Sequence, residues 1–384
     1  MSVHDYRARL DALAAEDLLR RRVVLDAASG PEAVLDGQRF IAFAGNDYLG
    51  LAGHPDVVEA LREGASRWGA GAGASHLVSG HQRPHEELEE ALAAFVGMPR
   101  ALFLSTGYMA NLAVLPAFAG RGDTIVADRL NHASLVDAAL LSRATLRRYA
   151  HNDLAAAARA LEGASGRKIV VTDAVFSMDG DIAPLAGLLE LCERHDALLI
   201  VDDAHGFGVL GEYGRGALSA CGIASPRILY IGTLGKAAGV AGAFVAGDPD
   251  LIEWVMQTGR TYRYTTASPA ALAHALLTSL RVIASSDDRR ERLAAHRTRL
   301  RQALAGARWP LMSSDTAIQP VLVGGNADVL ALSGQLRARG VWVPAIRPPT
   351  VPEGTARLRI SLSAAHDESH VAALCAALVE AGNG

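Results

Sequence analysis

Three apolar runs in this chain end in groups able to do chemistry. Ala197–His205 (ALLIVDDAH) closes on two aspartates, with His205 following Asp202 by three residues. Ile228–Gly239 (ILYIGTLGKAAG) runs into Thr233 and then sets Lys236 among small residues. Ala101–Asn111 (ALFLSTGYMAN) passes through Ser105, Thr106 and Gly107 into a helix start near Tyr108. Backbone amides at a helix start, flanked by hydroxyls, suit a phosphate dianion. A carboxylate at the end of a buried strand is poorly placed unless it faces a cation. A lysine whose pKa falls well below its usual ~10.4 can form an imine with an aldehyde or act as a base.

Each run alone admits a plainer reading. Asp202 and Asp203 could cap the next helix, and Lys236 could be a solvated surface lysine. Asp202 with His205 could bind a metal, but no third ligand is evident. A P-loop fails, because Ala237 follows the lysine and Tyr230 takes the upstream glycine position. The glycines of Gly71–Gly80 (GAGASHLVSG) follow a helix rather than a strand, which argues against a dinucleotide fingerprint. His76, His81 and His85 are read as accompanied by no carboxylate or cysteine pattern, so no metal is expected.

The elements that must position these groups alternate between helix and strand. Strands are predicted at Ala101–Leu104, Thr124–Ala127, Thr145–Tyr149, Lys168–Thr172, Ala197–Val201, Ile228–Gly232 and Val240–Val245. Several are short continuous apolar runs, as strands covered on both faces require. Helices are marked by Val57, Val58, Leu61, Ala65 and Trp68, and by Leu88, Leu92, Phe95 and Val96. The pattern predicts an α/β fold: a mostly parallel sheet of about seven strands with helices on both faces. Carboxyl ends of such strands are where ligands bind. From about Ser285 the character changes to a small C-terminal α+β domain. There Arg357–Ser363 alternates, with Leu358, Ile360 and Leu362 on one face and Arg357, Arg359 and Ser361 on the other. The expected division is an N-terminal arm at 1–45, a large domain at 46–284 and a small domain at 285–384.

Length and composition set outer bounds. The chain has 384 residues, 50% of them hydrophobic and 20% charged, an ordinary globular balance. A formal charge of −4 gives no reason to expect nucleic acid or an anionic membrane as a partner. Cys192, Cys221 and Cys375 are far apart and read as small core hydrophobes in a reducing compartment. The N-terminal segment mixes acids with bases and is no signal peptide, so a cytoplasmic location is expected.

The phosphate turn, the Asp–x–x–His and the lysine stand in the order found in fold-type I pyridoxal-phosphate enzymes. More specifically, the chain resembles the α-oxoamine synthases over nearly its whole length. The resemblance rests on NDYLG (Asn46–Gly50), STGYMAN (Ser105–Asn111), DRLNHAS (Asp128–Ser134), VFSMDGDIAPL (Val175–Leu185), DDAHGFGVLGEYGRG (Asp202–Gly216) and TLGKA (Thr233–Ala237). It implies a fold-type I transferase that uses pyridoxal 5′-phosphate to condense an amino acid with an acyl thioester, losing carbon dioxide. Lys236 would hold the cofactor as an imine and move the α-proton, Asp202 would pair with the pyridine nitrogen, and His205 would bond the phenolate oxygen. His132 would stack on the ring and face the substrate. Gly107 and Tyr108 would give amides to the phosphate, with Ser177 and Thr233 nearby. Thr265 and Thr266 would reach the phosphate in a neighbouring subunit, since the family builds its site at a dimer interface. Arg359, assisted by Asn46, would bind the amino-acid carboxylate, and Arg20 and Thr350 would contact the thioester. Asp17–Arg22 and Ala345–His366 resemble the member that takes L-alanine and pimeloyl-CoA, or pimeloyl-acyl carrier protein. The alternatives are glycine-using sisters such as 2-amino-3-oxobutyrate CoA ligase or 5-aminolevulinate synthase and, more remotely, a cofactor-binding sensor. Gly71–Gly80 departs from the common pattern at Ala72, Ala74 and His76, which bears on acyl-chain selection.

Overall fold

The computed structural model describes residues 3–383. By backbone contacts the chain divides into two units, one of residues 1–50, 178–181 and 289–384, the other of 51–177 and 182–288.

The second unit carries the large sheet: β1 (Arg100–Leu104), β2 (Thr124–Asp128), β3 (Thr145–Tyr149), β4 (Lys168–Asp173), β5 (Ala197–Asp202), β6 (Ile228–Thr233) and β7 (Ala243–Gly247). Their order is β1-β7-β6-β5-β4-β2-β3, and β7 runs against both of its neighbours. The pairs β6-β5, β5-β4, β4-β2 and β2-β3 are parallel. This is the expected α/β sheet, and continuous apolar strands are its cause. Ile169, Val170, Val171, Leu199, Ile200 and Val201 all have 1% exposure or less, so both strand faces are covered.

The predicted start of the last strand, Val240, is corrected to Ala243. Gly239 and Gly242 have φ of +70° and +107°, and these positive-φ residues keep Val240–Gly242 out of the extended backbone of a strand. At Gly239 a Cβ would also meet the backbone nitrogen of Ala52 at 2.4 Å, so no other residue fits there.

A second correction concerns α1 (Pro55–Trp68). Its buried residues are Val57, Ala60 and Gly64, whereas Val58 and Leu61 are exposed. The reason is close backbone packing: a Cβ on Gly64 would lie 3.0 Å from Cα of Ala271, in the helix Ala270–Ala284. The small side of the helix faces inward because only small residues permit that approach. The next long helix, α2 (Arg83–Val96), follows expectation, with Leu88 and Leu92 fully buried and a left-handed Gly97 at its end.

The first unit contains two three-stranded sheets. In one, Glu32–Leu35 and Gln38–Ala42 form a hairpin through Asp36 and Gly37, both at positive φ. Val341–Trp342 pairs parallel with the second of these strands. In the other sheet Ile318–Gly324 and Ala345–Ile346 flank Ala356–Ser361. All six residues of that central strand are buried, so its polar face is interior as well. Val371, Leu374, Cys375 and Leu378 bury one side of the last helix as predicted. Cys192 and Cys375 are buried, but Cys221 is exposed, at the end of a five-residue helix that stops at Gly222.

Candidate active site

The carboxyl ends of β2, β4, β5 and β6 bring Asp128, Asp173, Asp202 and Thr233 to one edge of the sheet. Lys236 follows three residues beyond β6, half-buried, with Nζ 3.1 Å from Nε2 of His205. An amine and an imidazole so placed can share or pass a proton.

Asp202 is 5% exposed. Its Oδ1 accepts from the amide of Ala204 at 3.1 Å, and its Oδ2 accepts from Nδ2 of Asn111 at 2.7 Å. The same Asn111 nitrogen donates to Oγ of Ser134 at 2.8 Å, which is 2.7 Å from Nδ1 of His132. A chain of polar contacts therefore runs from the Asp202 carboxylate to the His132 ring. The backbone N–H of His132 donates to Oδ2 of Asp173 at 2.7 Å. Asp173 pairs in register with Asp202 on the neighbouring strand. Burial, and then the negative charge of Asp202, push the Asp173 carboxyl well above the usual carboxylate range.

Asp203 has a different task. Its Oδ2 accepts from the amide of Ala217 at 2.6 Å and from the hydroxyl of Tyr230 at 2.8 Å, and burial pushes its pKa up to about 7. The capping reading applies to this residue, which ties the turn after β5 to the helix at Ala217.

Thr106 caps α3 (Gly107–Phe118), its Oγ1 accepting from the amide of Met109 at 3.2 Å. Gly107 and Tyr108 are the first two helical residues, so their N–H groups have no acceptor within the helix. Thr233 stands beside them: a Cβ on Gly107 would be 3.8 Å from its Oγ1. The Tyr108 hydroxyl donates to Asp137. Ser177 is partly buried beyond the end of β4. Thr265 is partly buried and Thr266 exposed, both just after the helix Arg260–Arg263.

The remaining predicted residues belong to the first unit and form two groups. Arg359 is 5% exposed, and its guanidinium donates to Oγ of Ser361 at 2.7 Å, Oδ1 of Asn46 at 3.2 Å and the Tyr48 hydroxyl at 3.3 Å. Arg20 donates to Oγ1 of Thr350 at 2.8 Å and to the carbonyl of Arg347 at 3.3 Å, at the surface.

Asn111, Ser134, Asp173 and Tyr48 were not singled out as site residues from sequence. A signal existed for two of them. Asn111 interrupts an otherwise apolar helix face, and Asp173 ends an apolar strand just as Asp202 does. The reading of His76, His81 and His85 requires a correction too. His76, His81 and His85 do come together, and a carboxylate accompanies them: Oε2 of Glu86 lies 2.9 Å from Nε2 of His81.

The residues present fit a pyridoxal phosphate group. They offer a primary amine beside an imidazole, a buried carboxylate held by two donors, and free amides at a helix start next to a hydroxyl. The buried Oδ1 of Asn111 has no partner within the chain, as expected beside a site made for a polar ligand.

The family described as aminotransferase class I and II matches residues 38–378. The 8-amino-7-oxononanoate synthase of Aromatoleum aromaticum is 61% identical over 97% of both chains. The solved serine palmitoyltransferase of Sphingomonas wittichii superposes with a TM-score of 0.93 at 31% identity, covering 99% of this chain and 97% of that one. The solved 8-amino-7-oxononanoate synthase of Francisella tularensis gives a TM-score of 0.78 at 31% identity, covering 89% and 97%.

Proposed function

Because the chain belongs to the class I and II aminotransferase family and, within it, to the 8-amino-7-oxononanoate synthases, we propose that it makes 8-amino-7-oxononanoate for biotin biosynthesis. The reaction is a decarboxylative condensation of L-alanine with pimeloyl-CoA or with the pimeloyl group on acyl carrier protein. The observation that carries this reading is the identity of 61% across 97% of the chain, together with the amine, carboxylate and helix start grouped at the sheet edge.

Pyridoxal 5′-phosphate, when bound, supplies a conjugated electron sink for the electrons left at the alanine Cα. The chain's own residues do the rest. Asp202 keeps a proton on the ring nitrogen, and Asn111 and the Ala204 amide fix its carboxylate for that task. Lys236 would anchor the cofactor through its amine and, once the amino group of alanine has displaced it, the freed amine would take the α-proton, with His205 within hydrogen-bond distance to receive or return it. His205 would also bond the phenolate oxygen. His132, anchored through Ser134 and Asp173, would help hold the cofactor ring and orient the substrate. Gly107 and Tyr108 donate their amides to the phosphate, with the hydroxyls of Thr233 and Ser177 beside them. Arg359, its guanidinium already steadied by Asn46, Tyr48 and Ser361, takes the alanine carboxylate. Arg20 and Thr350, already bonded to one another, meet the thioester end of the acyl donor.

No helix among the described residues is long and apolar enough to cross a membrane. We place the enzyme in the cytoplasm as a homodimer in which Thr265 and Thr266 reach the partner's phosphate site. The test is thiol release by the holoenzyme from pimeloyl-CoA with L-alanine, run beside glycine with acetyl-CoA and with succinyl-CoA. Release confined to the alanine–pimeloyl pair is expected; release confined to a glycine pair would move the chain to a sister activity.

A further inference from the structure

A second cluster of polar side chains stands where the turn His76–Gly80, the first turns of α2 and the start of β1 line one cavity. Its central member is His81, the residue that follows the short helical turn His76–Gly80. Nδ1 of His81 lies 2.9 Å from Nδ1 of His76, and its Nε2 lies 2.9 Å from Oε2 of Glu86. Glu86 and Glu89 are three residues apart on α2 and therefore share a face. One ring nitrogen of His81 and one carboxylate oxygen each from Glu86 and Glu89 fall within 4.8 Å of one another. The three side chains line a cavity of about 300 Å³.

The roles of the surrounding groups can be separated. His85 is fully engaged: its Nδ1 accepts from the amide of Gln82 at 3.0 Å, and its Nε2 donates to the carbonyl of Ser268 at 2.9 Å. It closes the first turn of α2 and is a structural histidine. His76 is buried and stacks on Tyr262, with ring centroids 4.9 Å apart. Nδ1 of His81 faces His76 and its Nε2 faces the Glu86 carboxylate, so an ion bound at Nε2 would replace the proton shared there while His76 holds the opposite ring nitrogen. Metal-binding imidazoles are commonly held in this way, with the nitrogen opposite the metal donating to a fixed acceptor. Glu89 is oriented from the other side, its Oε1 accepting from the amide of Phe103 in β1 at 2.7 Å. The nearby cation, Arg100, is already paired with Glu253 at 2.6 Å. The His81 and Glu86 side chains are 25% and 51% exposed, which leaves a path for an ion from solvent.

We propose that His81, Glu86 and Glu89 bind one divalent transition-metal ion per chain, with water completing the shell and His76 orienting the His81 ring. One nitrogen and two carboxylate oxygens suit Zn²⁺, which takes such ligands at about 2.0–2.2 Å, so that tetrahedral ligand atoms lie about 3.3–3.5 Å from one another. The His81–Glu86 pair needs to open by only a few tenths of an ångström, and Glu86 is exposed enough to swing. The bound ion ties the turn at His76–Gly80 to α2. It is separate from the chemistry assigned to Lys236 and supplies none of it.

The test is calorimetric titration of chelator-treated, untagged holoenzyme with Zn²⁺, with bound metal counted by elemental analysis after desalting. The variants are Glu86→Gln, which keeps shape at a half-exposed position, and His81→Ala. One Zn²⁺ per chain in the parent, with affinity lowered ~10-fold or more in both variants, is expected. Co²⁺ in its place should give the visible bands of a site made of nitrogen and oxygen, without thiolate charge transfer. Failure of the parent to retain Zn²⁺, or equal retention by both variants, would overturn the assignment. Retention of the cofactor's absorbance in Glu86→Gln establishes that a lost metal reflects the site and not a lost fold.

Discussion

Asp202 and Asp203 are adjacent, carry the same side chain and are both buried, yet the strand turns them to opposite duties. Asp203 is consumed by the backbone of Ala217 and the hydroxyl of Tyr230. Asp202 keeps its carboxylate at the sheet edge, where Asn111 holds it ready for a positive partner. Replacing Asp202 with asparagine retains the shape and an accepting oxygen but removes the charge. Turnover should fall by about 10²–10³, the usual cost of removing one preorganised electrostatic contact, while the melting temperature stays close to that of the parent. Steady-state kinetics beside thermal unfolding checks this, and ordinary turnover in the variant would refute the role. The end of an apolar run in Asp–Asp was plain in the sequence. The partner was not, because Asn111 and Ser134 reach Asp202 and His132 through folding, across 91 residues in the case of Asn111 and Asp202.

At the scale of elements, the sheet was legible because its strands are covered on both faces and so are written as unbroken apolar runs. What escaped were places where small residues or turns decide. The inward face of α1 is set by Ala60 and Gly64, which carry little hydrophobic signal, while bulky Val58 and Leu61 face out. The hairpin at Glu32–Ala42 hinges on Asp36–Gly37, a strong turn dipeptide flanked by strands of only four and five residues. The turn after β5 has a titration signature of its own. Burial raises the folded-state pKa of Asp203 to about 7, far above its unfolded value. The folded chain therefore binds this proton more tightly than the unfolded one, and the associated stability is lost as pH rises through about 7. Asp203→Asn, which holds no charge to bury, should gain on the parent in melting temperature as pH goes from 5 to 8. Parallel melting curves across that range would show that Asp203 is not the group responsible.

For the molecule as a whole, the two units place the assigned roles in different parts of the chain. Residues of the amine–carboxylate–phosphate set lie within 51–177 and 182–288, and Arg359, Asn46, Arg20 and Thr350 lie within the other unit. Sequence order alone hides this grouping, since residues 1–50 associate with 289–384 through pairings such as Ile41 with Val341. The claim that unites them is that alanine is condensed and loses its own carboxyl carbon in the same turnover. The direct measurement uses [1-¹³C]alanine and pimeloyl-CoA with the holoenzyme, following ¹³CO₂, free CoA and the mass of the amino-ketone product together. Labelled carbon dioxide and CoA released in equal amounts, with 8-amino-7-oxononanoate formed and carrying no label, is the predicted result. CoA released without ¹³CO₂, or a product that retains the label, would contradict it.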